Sequence, residues 1–123
     1  MEYYRFGQIV YAPIHDGGRS LKVRPVVIID DEPDFADEIM VIAISTKCQS
    51  PCPYYHIKVH HGTTRDIYTG LSQPSWPKCN FVRFPKVSRV RYAIGDMPDD
   101  LLEKILKAHD RIAAMGNRFL DWQ

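Results

Sequence analysis

Two short runs of β-branched residues constrain the fold of this chain more than any other feature. Residues 24–30 (RPVVIID) and 39–45 (IMVIAIS) are each seven residues long and apolar on both faces. Runs of this length and composition are typical of central strands that are covered on both sides. The segment between them, residues 31–38, is acidic and contains Pro33, which favours a loop. The pattern therefore predicts a buried hairpin at the centre of a sheet.

Other segments of the chain predict further strands and one helix. We expect strands at residues 7–14, 54–60, 68–71, 80–84 and 87–92, with a Pro-rich excursion at 73–77. Pro98 and the acids that follow it predict the start of a helix, which Gly116 ends. The apolar stripe of this helix is Leu101, Leu102, Ile105, Leu106, Ile112 and Ala113. The expected fold is α+β and mostly β: a small antiparallel barrel or curled sheet with a C-terminal amphipathic helix, forming a single domain over residues 1–123.

Composition narrows the class of protein. Hydrophobic residues make up 45% of the chain and charged residues 25%, which is the ordinary balance of a globular domain. No stretch approaches the ~18 consecutive apolar residues of a membrane span, and residues 1–5 do not open a secretory signal. The cysteines are odd in number: Cys48, Cys52 and Cys79. We therefore expect a cytoplasmic protein with reduced thiols and no membrane partner.

The charges are unevenly distributed along the chain. Between Ile39 and Gly95 the only acid is Asp66. The bases of the same stretch are Lys47, Lys58, Arg65, Lys78, Arg83, Lys86, Arg89 and Arg91. This basic middle segment predicts a phosphate-binding surface, or else a solvated face that the acidic loop balances in space.

The central hairpin brings particular polar residues together. If its two strands pair symmetrically around the loop, Arg24 lies opposite Ser45, on the same face with Cβ atoms ~5 Å apart. Pro25 favours an extended conformation at Arg24. Lys22 shares that face and Thr46 is close by, so the group suits an anionic oxygen. The alternative is that a polar strand end merely meets solvent.

The order and spacing of five stretches closely resemble the MazF/PemK family, the toxins of type II toxin–antitoxin pairs. The stretches are GQIV (7–10), KVRPVVII (22–29), VIAIST (41–46), YTGL (68–71) and IGDM (94–97). The resemblance implies an SH3-like barrel, a homodimer and a cognate antitoxin as partner. It also implies an endoribonuclease that cuts single-stranded RNA, such as mRNA, at short preferred sequences without a metal or another cofactor.

The resemblance also assigns site residues. The family's Arg of the "RP" motif falls on Arg24, and its Thr or Ser at the end of the third strand falls on Ser45. An "R-C-D-Q-x-R" segment of some members corresponds here to residues 78–83 (KCNFVR). Lys78 and Arg83 keep its basic character, and we expect both to contact RNA. Asn80 replaces the acid, so it can hydrogen-bond a base or a ribose but cannot accept a proton as a general base.

Two further residues complete the predicted site. Cleavage by the ribose 2′-hydroxyl needs a base, and Arg24 is a poor one because a guanidinium keeps its proton at neutral pH. Some family members carry a functional His in the first loop, which makes His15 the candidate; the alternative is a surface histidine. Trp76, in the Pro-rich excursion, is the aromatic residue best placed to stack on a base, although core packing commonly explains such aromatics.

Rival interpretations are weaker. Cys48, Cys52, His56 and His60 have the look of a metal site, but two histidines four residues apart on one strand are separated by ~13 Å, which zinc bonds of ~2.1 Å do not span. Cys79 could be a nucleophile, although unpaired thiols are commonly buried as small hydrophobes. The remaining alternative is a non-catalytic binder of the same fold, either an RNA-binding barrel or a gyrase-poisoning toxin like CcdB.

Overall fold

The described part of the chain folds into one antiparallel sheet and one α-helix. The computed structural model describes residues 4–15, 21–31, 37–48, 55–60 and 67–114. The strands are β1 (Gln8–His15), β2 (Leu21–Asp30), β3 (Met40–Ser45), β4 (Trp76–Arg83) and β5 (Tyr92–Asp96); the helix is α1 (Asp99–Ala114). The strand order is β4-β3-β2-β1-β5, with antiparallel pairing throughout. This confirms a mostly β fold with a C-terminal helix. No helix within these residues is long and apolar enough to cross a membrane.

The two central strands are buried on both faces, as their composition predicts. Val27 and Ile42 belong to a cluster that packs under α1, with the helix contributing Leu101, Leu102, Ile105, Ala108 and Ile112. Val26 and Ala43 belong to a second cluster on the opposite face, closed by Phe81 and Val90. Because side chains alternate along a strand, each central strand feeds both clusters. We call these the helix face and the inner face of the sheet.

The sheet is curled and is not a closed barrel. β4 and β5 are its two edges. The side chain of Arg83 on β4 nevertheless reaches β1, where its Nε donates a hydrogen bond of 3.0 Å to the carbonyl of His15. Its guanidinium lies 3.7 Å from the centre of the Phe81 ring. The right-handed twist of the strands thus wraps the sheet around the inner cluster.

Several predicted boundaries were wrong. β2 begins at Leu21, because residues 21–23 pair with the end of β1. β4 begins at Trp76, inside the predicted Pro-rich excursion, because Pro77 pairs with Ile44 and its carbonyl accepts a bond from the Ile57 amide. Residues 67–69 and 87–89 form 3₁₀ turns rather than strands.

The predicted strand at residues 54–60 is only partly present. Residue 54 lies outside the described residues. The rest runs along the free edge of β4 through two isolated antiparallel bridges, His56 to Lys78 and Val59 to Ser75. His56 and Val59 are both buried, so the segment does not alternate regularly. It still extends the sheet beyond β4 and covers that edge.

The 3₁₀ turn at residues 67–69 is locked against β5 by two glycines. Gly70 has φ +73°, and a Cβ there would overlap the carbonyl oxygen of Ile94. A Cβ at Gly95 would overlap the carbonyl oxygens of Tyr68 and Thr69. The backbones approach too closely for any side chain between them.

We therefore expect Gly95→Ala to lower the free energy of unfolding by about 1–3 kcal/mol, because backbone must move to admit the methyl group. Urea denaturation of the variant measures this loss. Ala93→Ser, at an exposed position of the same strand, is the control and should stay within about 0.5 kcal/mol of the unmodified protein. An unchanged midpoint for Gly95→Ala would show that this approach of the two backbones is not tight.

Candidate functional site

The register of the central hairpin agrees with the one predicted from its symmetry. Val26 pairs with Ala43 and Val27 pairs with Ile42. Continuing this ladder by two residues places Arg24 opposite Ser45, on the inner face. Arg24 is half-buried and Ser45 is 7% exposed. The two residues thus lie at the rim of the inner cluster, where apolar packing gives way to polar groups.

The hydroxyl of Ser45 is held in place by the chain that follows it. Its Oγ accepts a hydrogen bond of 3.1 Å from the backbone amide of Lys47. A hydroxyl has one proton and two lone pairs, so this bond leaves the proton available for donation. Ser45 can therefore donate to an anionic oxygen that binds beside Arg24.

The same face continues onto β4. Trp76 pairs directly with Ser45, and the Nζ of Lys58 lies 5.6 Å from the centre of the Trp76 ring. Directly opposed residues share a face, so Lys58, Trp76, Ser45 and Arg24 form one line across the sheet. We call this line the cross-strand row. It combines two cations, a hydroxyl donor and an aromatic ring.

Exposed polar residues flank the row. Lys22 lies two residues before Arg24 on the same face of β2, opposite Ile14 of β1. Thr46 directly follows Ser45 and is exposed, as is Lys47. These predicted binding residues are therefore next to the Arg24–Ser45 pair and open to solvent.

Lys78 and Asn80, by contrast, are buried. Each is 2% exposed, because β4 bulges between its pairs Val82–Ile42 and Pro77–Ile44, and such bulges redirect side chains. The Nε2 of His56 donates a hydrogen bond of 3.2 Å to Asn80 Oδ1. The direct RNA contact predicted for Lys78 and Asn80 from the sequence stays a prediction, and it would require these buried side chains to become accessible.

His56, Lys78 and Asn80 form a polar cluster in which burial disfavours charge. The pKa of His56 is lowered to about 4, mainly by burial and secondly by the nearby positive charge of Lys78. The hydrogen bond to Asn80 acts in the opposite direction and raises this pKa. Burial also lowers the pKa of Lys78. His56 is thus a neutral imidazole at physiological pH that ties the segment at residues 55–60 to β4.

His15 and Arg83 lie apart from the cross-strand row. His15 is the exposed last residue of β1 rather than a loop residue, and it pairs with Leu21. Since Leu21 and Arg24 are three positions apart, their side chains point to opposite faces, so His15 faces away from Arg24. Arg83 is at the other end of β4 from Trp76 and is half-buried by its contacts with Phe81 and His15.

Neither of the two described cysteines, Cys48 and Cys79, is a free thiol that is accessible. Burial raises the pKa of the Cys79 thiol to about 12, so it is a core residue and not a nucleophile. The expectation of reduced thiols fails at Cys48, which is disulfide-bonded; its partner lies outside the described residues. The Nδ1 of His56 lies 3.5 Å from Cys48 Sγ. Within the described ranges, no three His, Cys, Asp or Glu residues are grouped as a metal site.

Sequence reasoning misses two participants. In the sequence, His56 is singled out only by its metal-like spacing from other residues. Its hydrogen bond to Asn80 depends on the pairing of residues 55–60 with β4, which no local sequence pattern predicts. Lys58 is singled out only as one of the bases of the middle segment. The alternation of Lys58 with its apolar neighbours, together with an aromatic at the start of β4, is the signal that could have found it.

The fold and the candidate site define a small domain with a curled sheet and a row of cationic residues at one end of its strands. Comparison with known protein families identifies the family to which this domain belongs. Residues 5–112 match the family model of the PemK-like, MazF-like toxin of type II toxin–antitoxin system. The match spans most of the chain, and the protein belongs to this family. No curated protein gave a significant sequence match.

Solved structures agree on the fold. The Mycobacterium tuberculosis toxin MazF-mt6 is 20% identical, with a TM-score of 0.65 over 87% of this chain and 96% of that one. MazF from Deinococcus radiodurans (Form-I) is 12% identical, with a TM-score of 0.72 over 94% and 100%. A MazE–MazF structure from the same organism (Form-II) is 12% identical, with a TM-score of 0.64 over 92% and 97%. At these identities the likeness concerns the backbone.

The lowered pKa of His56 makes stability depend on pH in a defined window. Between pH 6.5 and about 4 the unfolded chain protonates this imidazole while the folded chain resists, so the free energy of unfolding falls as the pH falls through that window. The loss contributed by His56 is on the order of 3 kcal/mol. Urea denaturation at several pH values measures it.

His56→Gln should flatten this pH dependence, whereas His15→Gln, at an exposed position, should leave it unchanged. A His56→Gln profile as steep as that of the unmodified protein would assign the acid sensitivity to other groups.

Proposed function

We propose that this protein is a toxin-type endoribonuclease that cleaves single-stranded RNA at short preferred sequences without a metal ion. The observation that supports the proposal is the hairpin register, because the Val26–Ala43 pairing continued by two residues sets Arg24 opposite Ser45 at the rim of the inner face. These are the positions on which the family's Arg and Thr/Ser fall. Family membership supports the same activity.

The proposed reaction is an internal transfer at one phosphate. The ribose 2′-oxygen bonds to phosphorus and passes its proton to a water molecule, and the bond from phosphorus to the 5′-oxygen breaks as that oxygen takes a proton from solvent. The phosphorane between these states carries extra negative charge. Arg24 stabilises that charge through its planar fork of donors, and Ser45 donates its free proton to a phosphoryl oxygen. The role of general base predicted for His15 stays a prediction, and the proposal does not depend on it because this residue pairs with Leu21 on the face opposite Arg24.

The rest of the row suits the RNA strand. Trp76 offers an aromatic face on which a base can stack, and Lys58 beside it adds positive charge. Lys22 and Thr46 are exposed on either side of the Arg24–Ser45 pair and can hold backbone phosphates or sugars. Lys78 and Asn80 act indirectly in this proposal, because they fix the segment that carries Lys58.

The proposed setting is that of a toxin–antitoxin pair in the cytoplasm. MazF structures similar to this chain include complexes with MazE, and we propose a cognate antitoxin for this protein as well. We further propose that it acts as a homodimer. Val23 and Tyr92 support this, because both are large apolar residues about half exposed on the helix face, beyond the end that α1 covers.

Arg24→Ala should lower the rate of RNA cleavage about 10²–10³-fold, because it removes the main donor to the phosphorane. Cleavage by the unmodified protein should persist in excess EDTA and leave 2′,3′-cyclic phosphate ends. Single-turnover assays on a randomised RNA pool measure both. Arg91→Ala, an exposed arginine of the same basic segment, is the matched control and should cut at nearly the normal rate.

Three results would contradict the proposal in different ways. Cleavage that requires added Mg²⁺ would overturn the metal-free mechanism. Equal rates for Arg24→Ala and the unmodified protein would refute the role of Arg24 in stabilising the phosphorane. If the unmodified protein bound RNA but did not cleave it, the protein would be a non-catalytic RNA-binding protein of the same fold.

Val23→Glu should dissociate the homodimer, because it buries a charge at the interface. Sedimentation at tens of micromolar measures the association state of each protein. Val23→Thr, nearly the same shape, is the control and should weaken association much less. A monomeric unmodified protein at that concentration would refute the homodimer.

A further inference from the structure

A second cationic site lies at the other side of the sheet rim. A pocket of about 290 Å³ opens where the end of β1 meets the segment that follows β4. Its lining is Pro13, Ile14, His15, Leu21, Glu38, Arg83, Phe84, Pro85, Lys86 and Arg89. Three cations thus face one carboxylate, and the remaining walls are largely apolar.

The cations of this pocket have no acidic partners in the described part of the chain. No described carboxylate lies within ion-pair distance of Arg83, Lys86 or Arg89. Arg83 donates hydrogen bonds from two of its five N–H groups, one to the carbonyl of His15 and one to the carbonyl of Val82. The others remain for a ligand. A half-buried guanidinium beside two exposed cations is a strong attractor for an anion.

The pocket is fixed by backbone bonds. Ile39 donates to the carbonyl of Pro85 at 3.1 Å, and Val87 donates to the carbonyl of Asp37 at 2.8 Å. These bonds bracket Lys86. The guanidinium of Arg83 lies 3.7 Å from the centre of the Phe81 ring, which is on the neighbouring wall. The positive groups are therefore arranged before any ligand arrives, which reduces the entropy cost of binding.

The apolar walls identify the ligand more closely than the charge does. A volume of 290 Å³ exceeds what one phosphate fills and approaches the ~300 Å³ at which small-molecule pockets begin. Phe84 is 42% exposed at the pocket and Leu21 is 45% exposed. An exposed aromatic ring beside cations suits a base and its phosphate, as in single-stranded RNA recognition. An acidic peptide would use the cations and leave the ring unused.

The pocket also connects to the cross-strand row. Ile14, in the pocket wall, pairs with Lys22, which shares the face of Arg24. Lys22 is two residues before Arg24 along β2, or about 7 Å at 3.3 Å per residue. A strand bound at Arg24 and Ser45 can therefore pass Lys22 and enter the pocket.

We propose that this pocket is an RNA subsite that binds one nucleotide beyond the scissile linkage, with its phosphate on Arg83, Lys86 and Arg89 and its base against Phe84. The subsite rests on the proposed endoribonuclease function and adds to it a place where neighbouring sequence is read. Arg83, predicted from the sequence to contact RNA, does so here and not at the cross-strand row.

The test compares two double variants of equal charge change. Lys86→Glu with Arg89→Glu alters the pocket, and Lys104→Glu with Lys107→Glu alters exposed positions of α1. The probe is a labelled 2′-O-methyl RNA dodecamer of mixed sequence, which cannot be cut through a 2′-hydroxyl. We expect the pocket variant to bind it at least about tenfold more weakly. The slope of log affinity against log salt should shrink by about 0.7 for each phosphate that the variant no longer neutralises.

Two further measurements separate the subsite from general charge effects. Phe84→Ala should weaken dodecamer binding about tenfold, since it removes the stacking surface. Cleavage of a dinucleotide too short to reach the pocket should proceed at the normal rate in the pocket variant. Thermal unfolding of each variant verifies that it is folded.

Distinct outcomes overturn the proposal. An equal decrease of dodecamer binding in both double variants would reduce the effect to net charge. A decrease confined to the binding of poly-glutamate would assign the pocket to an acidic protein. If the pocket variant bound the dodecamer normally and cleavage still depended on Arg24, the RNA subsite would be refuted and the proposed endoribonuclease function would be retained. Weakened binding in a protein that never cuts RNA would refute the nuclease and leave the subsite.

Discussion

The pairing of β2 with β3 in a single register is the constraint on which the rest of the structure depends. Both strands are buried on both faces, so a slip by one residue would exchange the side chains of the helix face and the inner face. It would also turn the Arg24 guanidinium toward the apolar helix face. The polar ends of the hairpin thus help to specify the register, and the register in turn brings Arg24 to Ser45. Fold and site are specified by the same ladder.

The buried polar cluster shows why an amide is compatible with the position of Asn80. Burial disfavours charge on His56, and the nearby Lys78 disfavours it further. A neutral carbonyl oxygen can accept the His56 hydrogen bond without adding an ion to the interior. An aspartate there would raise the pKa of His56 and create a buried network of three ionisable groups, whose net stability depends on complete pairing. The present arrangement keeps the imidazole neutral and holds residues 55–60 against β4, which presents Lys58 beside Trp76.

Sequence alone predicts what local pattern determines. The apolar runs of β2 and β3, their register and the stripe of α1 follow from residue order, and the family resemblance rests on those segments. Prediction fails where long-range pairing overrides local preference. Pro77 signals a break, yet the chain stays extended there because Ile44 and the 55–60 segment pair with it from both sides. Lys78 looks exposed by composition, but a bulge turns it inward. His15 is expected in a loop, whereas β1 extends to include it and turns it away from Arg24.

The basic residues of the middle segment divide in space into two groups. Lys58 and the neighbours of Ser45 lie along the cross-strand row, whereas Arg83, Lys86 and Arg89 surround the pocket. Curling of the sheet causes this separation, since it carries the two ends of β4 to different parts of the rim. Lys22 of β2 lies between the groups and joins them into one cationic path. Under the proposed function, such a path binds the phosphates along a single RNA strand while only one linkage meets Arg24 and Ser45, so that the groups proposed to hold the strand are distinct from those proposed to act on it.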